Sequence, residues 1–240
     1  MLIHHQQSKL TGDPIRVILT GVDSKSQNPK TGDTAQIFII PSGVNPYHAT
    51  TTGKDEAVCG SCKYRPLLKD AENAPPKPCY VRTFQSVMST WKAHRSARKT
   101  FLASLKGKAI RIGAYGDPVA VNLSVWRKVI RLATRTHRHP RPWLSYTHQW
   151  HTPQAQPYRS ICMASVDSVD EQRQASSQGW RTFRVRTADQ PLLPDEIICP
   201  ASKEAKTARP DRHTTCSQCL LCNGTAGPTD TRKNIAIIAH

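Results

Sequence analysis

AIRIGAYGDP, from Ala109 to Pro118, is the stretch on which the fold turns. Apolar residues run through it without a helical period, and Gly116-Asp117-Pro118 stops it abruptly, as a strand running into a tight turn does. A helix is expected next, with Ser124 as N-cap and Val125, Val129, Leu132 and Ala133 on one face. Trp143 to Thr147 then reads as another strand. Two strands joined by a helical crossover pair in parallel.

The same alternation extends both ways. Upstream, Ile15 to Thr20 and Ala35 to Ile40 read as strands, and Tyr80 to Leu105 as helical with a break near Ser96; Val81, Phe84, Val87, Met88 and Trp91 carry its apolar period. Downstream, strands are expected over Ser160 to Val166, Trp180 to Arg186, Asp195 to Cys199 and Asn234 to Ala239, with a helix from Val169 closed by Gly179. The whole chain, 1–240, therefore reads as a single α/β domain with a mainly parallel sheet, open or closed into a partial TIM-type barrel. A cysteine-containing loop over 41–79 and a cysteine-rich insertion over 199–233 belong to it.

Seven of the eight cysteines fall into two sets, Cys59-x2-Cys62-x16-Cys79 and Cys199-x16-Cys216-x2-Cys219-x2-Cys222. No run approaches the roughly 18 to 20 apolar residues of a membrane span, and the N-terminus lacks a basic segment followed by an apolar one. A cytoplasmic protein is the expectation, and in a reducing compartment paired C-x2-C spacings read as metal ligands. Four thiolates close a site; three leave a position for water, substrate or cofactor. A C-x2-C-x2-C run with a distant cysteine suits a [4Fe–4S] cluster, with zinc as the alternative, using His213 or His240. His48 is the nearest fourth ligand for the three-cysteine set. Cys162, among Ile161, Met163 and Ala164, reads as a buried apolar side chain.

Formal charge is +17, from 34 Lys and Arg against 17 Asp and Glu. Much of the excess lies in two blocks: Lys92, His94, Arg95, Arg98, Lys99, Lys106, Lys108, Arg111, and then Arg127, Lys128, Arg131, Arg135, His137, Arg138, His139, Arg141. Such a field attracts polyanions, so DNA or RNA is the expected partner. No motif for reading base sequence accompanies it. An apolar fraction of 38% and 18 prolines point to much loop, as does a mean hydropathy of −0.52.

Ligand sites in parallel α/β folds lie at the carboxyl ends of strands. Asp117, His148, Asp167, Arg186, Cys199 and His240 all stand at such exits. Asp117, His148 and Asp167 are the catalytic candidates for proton transfer, and Arg186 the candidate for a phosphate or carboxylate. Asp117, Asp167 and His148 also have a structural reading: Asp117 an Asx turn, Asp167 a helix cap, and His148, with aromatic Tyr146 and Trp150 on either side in sequence, a packed histidine.

Cys59-Gly60-x-Cys62 with Cys79-Tyr80, Tyr146-Thr147-His148-Gln149-Trp150, Val166-Asp167-Ser168, Gly179 to Val185 and Cys199-Pro200-Ala201-Ser202 together resemble a family of phage- and plasmid-encoded proteins. That resemblance implies a mobile-element origin and a host cytoplasm. More loosely, three cysteines, a following helix and a strand ending in Gly-Asp-Pro are similar to the start of a radical-SAM partial barrel. The likeness implies an open-iron cluster on Cys59, Cys62 and Cys79, and S-adenosylmethionine at the Gly116-Asp117 turn. The cysteine spacing here is x2 and x16 rather than x3 and x2, and Asp replaces the usual Glu. Three functions follow as expectations: an iron–sulfur enzyme acting on nucleic acid or a nucleotide, a zinc-stabilised barrel modifying or exchanging bases in phage DNA, or a non-enzymatic zinc-bound nucleic-acid accessory protein.

Overall fold

The computed structural model describes residues 1–26, 28–68, 79–93, 105, 107–212 and 214–239. His213, His240, the expected helical continuation over 94–104 with its break near Ser96, and the cations His94, Arg95, Arg98, Lys99 and Lys106 lie outside the described residues.

Strands β1 (Leu2–Gln7), β2 (Pro14–Thr20) and β3 (Thr34–Pro41) open the chain, and β1–β2 and β2–β3 pair antiparallel. From β3 the chain passes through α1 (Pro46–Thr52), α2 (Glu56–Cys59), a π-type turn over Thr83–Val87 and α3 (Met88–Ala93) to β4 (Ala109–Tyr115). Then come α4 (Leu123–Thr136), β5 (Trp143–Thr147), β6 (Met163–Val166), α5 (Val169–Ser177), β7 (Thr182–Arg186), β8 (Glu196–Ile198), α6 (Lys203–Ala208), α7 (Cys216–Cys219) and β9 (Asn234–Ile238). The sheet order is β1-β2-β3-β4-β5-β6-β7-β9-β8, parallel from β3 onward. Its outermost strands are β1 and β8.

From β3 to β7 every parallel step moves in the same direction across the sheet. Right-handed crossovers then all fall on one face. Trp126, Val129 and Ala133 of α4, Tyr158 of the β5–β6 connection and Ala175 of α5 share a core with Ile110, Ile112, Ala164 and Val166 on that face. Strand side chains alternate, so Leu144, Met163, Ile235 and Ile237 point the other way. They form a second core with Cys199, Ala201, Leu220 and Cys222. The cysteine-rich segment therefore lies on the sheet's second face and covers it.

Local differences from the expectations have local causes. Asn122, not Ser124, takes the N-cap position of α4, because the Pro118–Ala120 turn delivers the chain earlier. Trp126, Val129 and Ala133 are its buried positions. Ser168, not Asp167, caps α5 by accepting the Glu171 N–H at 3.0 Å. The strand expected from Ser160 begins at Met163, since 153–160 form a 3-10 segment. β1 carries only two apolar residues among histidines and glutamines; pairing with β2, not burial, makes it a strand. Cys162 is buried, 3.1 Å from Ser145 Oγ.

At the far edge, Arg184 and Glu196 are both fully buried and doubly bonded, at 2.8 and 2.6 Å. Register places Arg184 opposite Ala236, whose small side chain lets the guanidinium cross β9 to β8. Removing one partner strands a buried charge, which costs about 3 to 5 kcal/mol. Glu196→Ala should lower the urea midpoint accordingly, and Arg184→Met/Glu196→Leu should recover most of the loss.

Candidate metal centre

The α2 loop carries Cys59 and Cys62 to the carboxyl end of the sheet. Buried Arg65 braces the loop from inside. It pairs with Asp55 at 3.0 Å and donates to the carbonyls of Gly53 and Gly60 at 2.7 and 3.2 Å. Cys79 joins through its N–H on the Tyr64 carbonyl, 2.8 Å away. The loop is fastened to the strand exits by Asp117 N–H on Val58 O, 2.6 Å, by Gln149 Nε2 on Cys59 O, 3.0 Å, and by Ser61 Oγ on Gln149 Oε1, 2.9 Å. Gly60 makes this approach possible: its φ is +56°, and a Cβ there would stand 2.8 Å from Gln149 Oε1.

Asp117, His148 and Asp167 all meet this loop, at the exits of β4, β5 and β6. Asp117 is buried and its two oxygens are fully used. They accept from Val119 N–H at 2.9 Å, Thr147 Oγ1 at 2.8 and 3.0 Å, and His148 N–H at 2.8 Å. Burial pushes its carboxyl above the usual range, against these hydrogen bonds and His148, which pull it down. Asp117 thus ties β4 to β5 and forms the Asx turn. The His148 ring packs 5.8 Å from that of Tyr64, in keeping with the packed-histidine reading. Asp167 pairs with Lys63 at 3.0 Å, while its Oδ1 is buried without a hydrogen-bond partner. Burial, then a side-chain hydrogen bond with Asp167 and that carboxylate's charge, push the Tyr64 hydroxyl well above its usual range.

The thiols are electrostatically unusual. Burial raises Cys59 well above its usual range, and Asp55, Cys62, Cys79 and Asp117 add to it. Burial likewise pushes Cys62 up to about 12 and raises Cys79. Yet the Tyr64 N–H points at the Cys62 sulfur and the Val81 N–H at that of Cys79, which favours the thiolate. Backbone donors aimed at buried sulfur suit a metal-bound thiolate, whose charge the metal absorbs.

The second set repeats the pattern, with N–H groups of Ala201 and Leu221 on Cys199 and Cys219. α7, closed by a Thr215/Gln218 capping box, hangs on the β2–β3 loop through Cys216 N–H to Lys30 O and Ser217 N–H to Thr31 O. Cys222 is pinned to β5 by Ser145 N–H on its carbonyl, 2.9 Å, and by the Tyr146 hydroxyl on its sulfur. Cys199, Cys216 and Cys219 all raise Cys222 further, after burial. Cys216 is pushed up to about 11 by burial and Cys199, while Arg111 and Lys30 pull it down. Among the described residues no three His, Cys, Asp or Glu side chains are drawn together tightly enough to close a coordination shell. The donor chemistry of both sets, soft sulfur supported by backbone N–H, fits zinc or an iron–sulfur cluster.

Of the other exit residues, Arg186 is taken up by Glu204 and the carbonyls of Thr187 and Gln190. Cys199 turns into the second-face core. His48 is exposed on α1. Of the supporting residues, Asp55 and Tyr64 carried no signal of their own, whereas Lys63 is one of the cations around the first cysteines, Arg111 belongs to the first basic block and Tyr146 to the Tyr146–Trp150 motif. No protein-family model, curated protein or solved structure matches this chain.

Gly60→Ala should force the cysteine loop off Gln149. If Cys59, Cys62 and Cys79 bind a metal, analysis of the purified variant should show a lower metal content than wild type, with any metal on the second set retained.

Proposed function

We propose that this chain is a thiolate-ligated metalloenzyme acting on nucleic acid or a nucleotide. Cys59, Cys62 and Cys79 would hold the reactive centre, and Cys199, Cys216, Cys219 and Cys222 a closed one. What carries the reading is the meeting, at the carboxyl rim, of three cysteines, two of them (Cys62 and Cys79) with backbone N–H support, and Asp167, whose Oδ1 has no hydrogen-bond partner. Bound there, an iron–sulfur cluster with an iron left open would supply redox or Lewis-acid chemistry. Asp167 takes or returns the proton at Oδ1, with Lys63 fixing its other oxygen at 3.0 Å. Tyr64 and His148 form the wall beside it. Asp117 positions this rim, since its oxygens are already committed. S-adenosylmethionine is left out for the same reason.

The basic character supports the substrate class. Arg127, Lys128, Arg131, Arg135 and Arg138 are exposed on and after α4, and no salt bridge engages them among the described residues. The stepwise strand order supports a partial barrel, and the charge and reduced thiols suit a mobile-element protein working in a host cytoplasm. A second reading is zinc at both sites, in a protein that modifies or merely binds nucleic acid. It is favoured by Cys199 and Cys222 lying in an apolar core with Cys216 packed against it, as ligands of closed structural zinc sites do.

Anaerobically purified protein should be brown, absorb broadly near about 400 nm and contain iron and sulfide. Cys59→Ser/Cys62→Ser should remove the share of iron belonging to the rim. Colourless protein with stoichiometric zinc sinks the iron reading in favour of the second. Asp167→Asn should keep the metal and abolish any change that mass spectrometry detects in host or phage nucleosides on expression.

A further inference from the structure

Large apolar side chains that stay exposed are uncommon where a core is available, and here they are not scattered. Among the described residues they are Tyr47, Leu67, Tyr80, Phe84 and Leu192. The first four lie on segments that flank the three cysteines. α1, which carries Tyr47, packs on both the Pro66–Leu68 turn and the Thr83–Val87 turn, so Tyr47, Leu67 and Phe84 come from adjoining segments. Thr83 and Val87 turn inward from the last of these and leave Phe84 60% exposed.

Tyr80 is the most telling. It is 76% exposed, yet its hydroxyl is held by Arg111 NH2 at 2.8 Å. A ring fixed at one end and bare on its face has already lost the freedom that stacking would cost it. Lys54, Arg82 and Lys92 are exposed on the same segments. The exposed carboxylate of Glu56 is drawn to Arg65 at 3.4 Å. The segments around the three cysteines therefore carry exposed aromatic and cationic side chains together, the combination that holds unpaired bases by their faces and the backbone by its phosphates.

Resting on the nucleic-acid reading above, we propose that Tyr80 and Phe84, with Tyr47 beside them, form a stacking platform for single-stranded nucleic acid. Duplex bases are already stacked and cannot lie on such a shelf. Because Tyr80 directly follows Cys79, a base stacked on it lies next to the three-cysteine centre. The exposed arginines of α4 then take phosphates further along the strand.

The test uses the full metal-loaded chain and a fluorescein-labelled thymidine strand of about twelve nucleotides, compared with its duplex by fluorescence anisotropy. The single strand should bind at least about tenfold more tightly. Tyr80→Ala and Phe84→Ala should each weaken it by about tenfold, with metal content unchanged. Tyr80→Phe, which keeps the ring, should retain most of the affinity. Equal affinity for strand and duplex overturns the proposal, as does unchanged affinity in both alanine variants. It is also overturned if sedimentation shows that the patch joins two copies of the chain, with Phe84→Ala releasing monomers. Wild-type protein that carries no metal but shows the expected stacking losses supports the platform and defeats only the metal reading.

Discussion

A parallel sheet whose crossovers from β3 to β7 lie on one side has a second apolar face that must be covered. In this chain the cysteine-rich segment after β8 does so. Leu220, Cys199, Ala201 and Cys222 pack on Leu144, Met163, Ile235 and Ile237. The packing is reinforced by polar ties. Arg181 donates to the carbonyls of Leu221 and Asn223, and Arg141 and Arg232 both reach Asn223 Oδ1. The placing of these cysteines and the integrity of the sheet are thus one problem, since Cys199 and Cys222 are part of the core and Cys216 packs against it.

The two thiol sets differ in what surrounds them. Carboxylates stand near the rim set, where Asp55 and Asp117 both raise Cys59. Cations stand near the inner set, where Arg111 and Lys30 pull Cys216 down. A tetrathiolate site with a divalent metal carries net negative charge, which two cations balance. At the rim set the carboxylates are themselves paired with cations, Asp55 with Arg65 and Asp167 with Lys63, each at 3.0 Å.

Much of the fold is legible locally. AIRIGAYGDP forms the β4 strand and its turn, and the helix and strand after it follow the apolar period. Where the reading slipped, longer-range contacts decided. β1 has no periodic signal because pairing with β2 holds it. The α5 cap fell to Ser168 because its hydroxyl reaches the Glu171 N–H, while Asp167, one residue earlier, is drawn to Lys63. Asp117, His148 and Asp167 were visible as strand exits, yet their division of labour was not. Asp117 is consumed by Thr147 and His148 from another strand, and no local pattern announces that.

Residue identity and spacing alone determined the alternating strands and helices, the unequal count of three and four cysteines, and the strongly basic surface. These are properties of neighbouring residues, set by period, turn chemistry and charge. Only the tertiary structure decided that the four-cysteine segment covers the sheet's second face, that the three-cysteine loop docks on the exits of β4 and β5, and that Arg186 is already occupied. Those outcomes depend on which face each crossover leaves bare and on hydrogen bonds between residues far apart in the chain, such as Gln149 on Cys59.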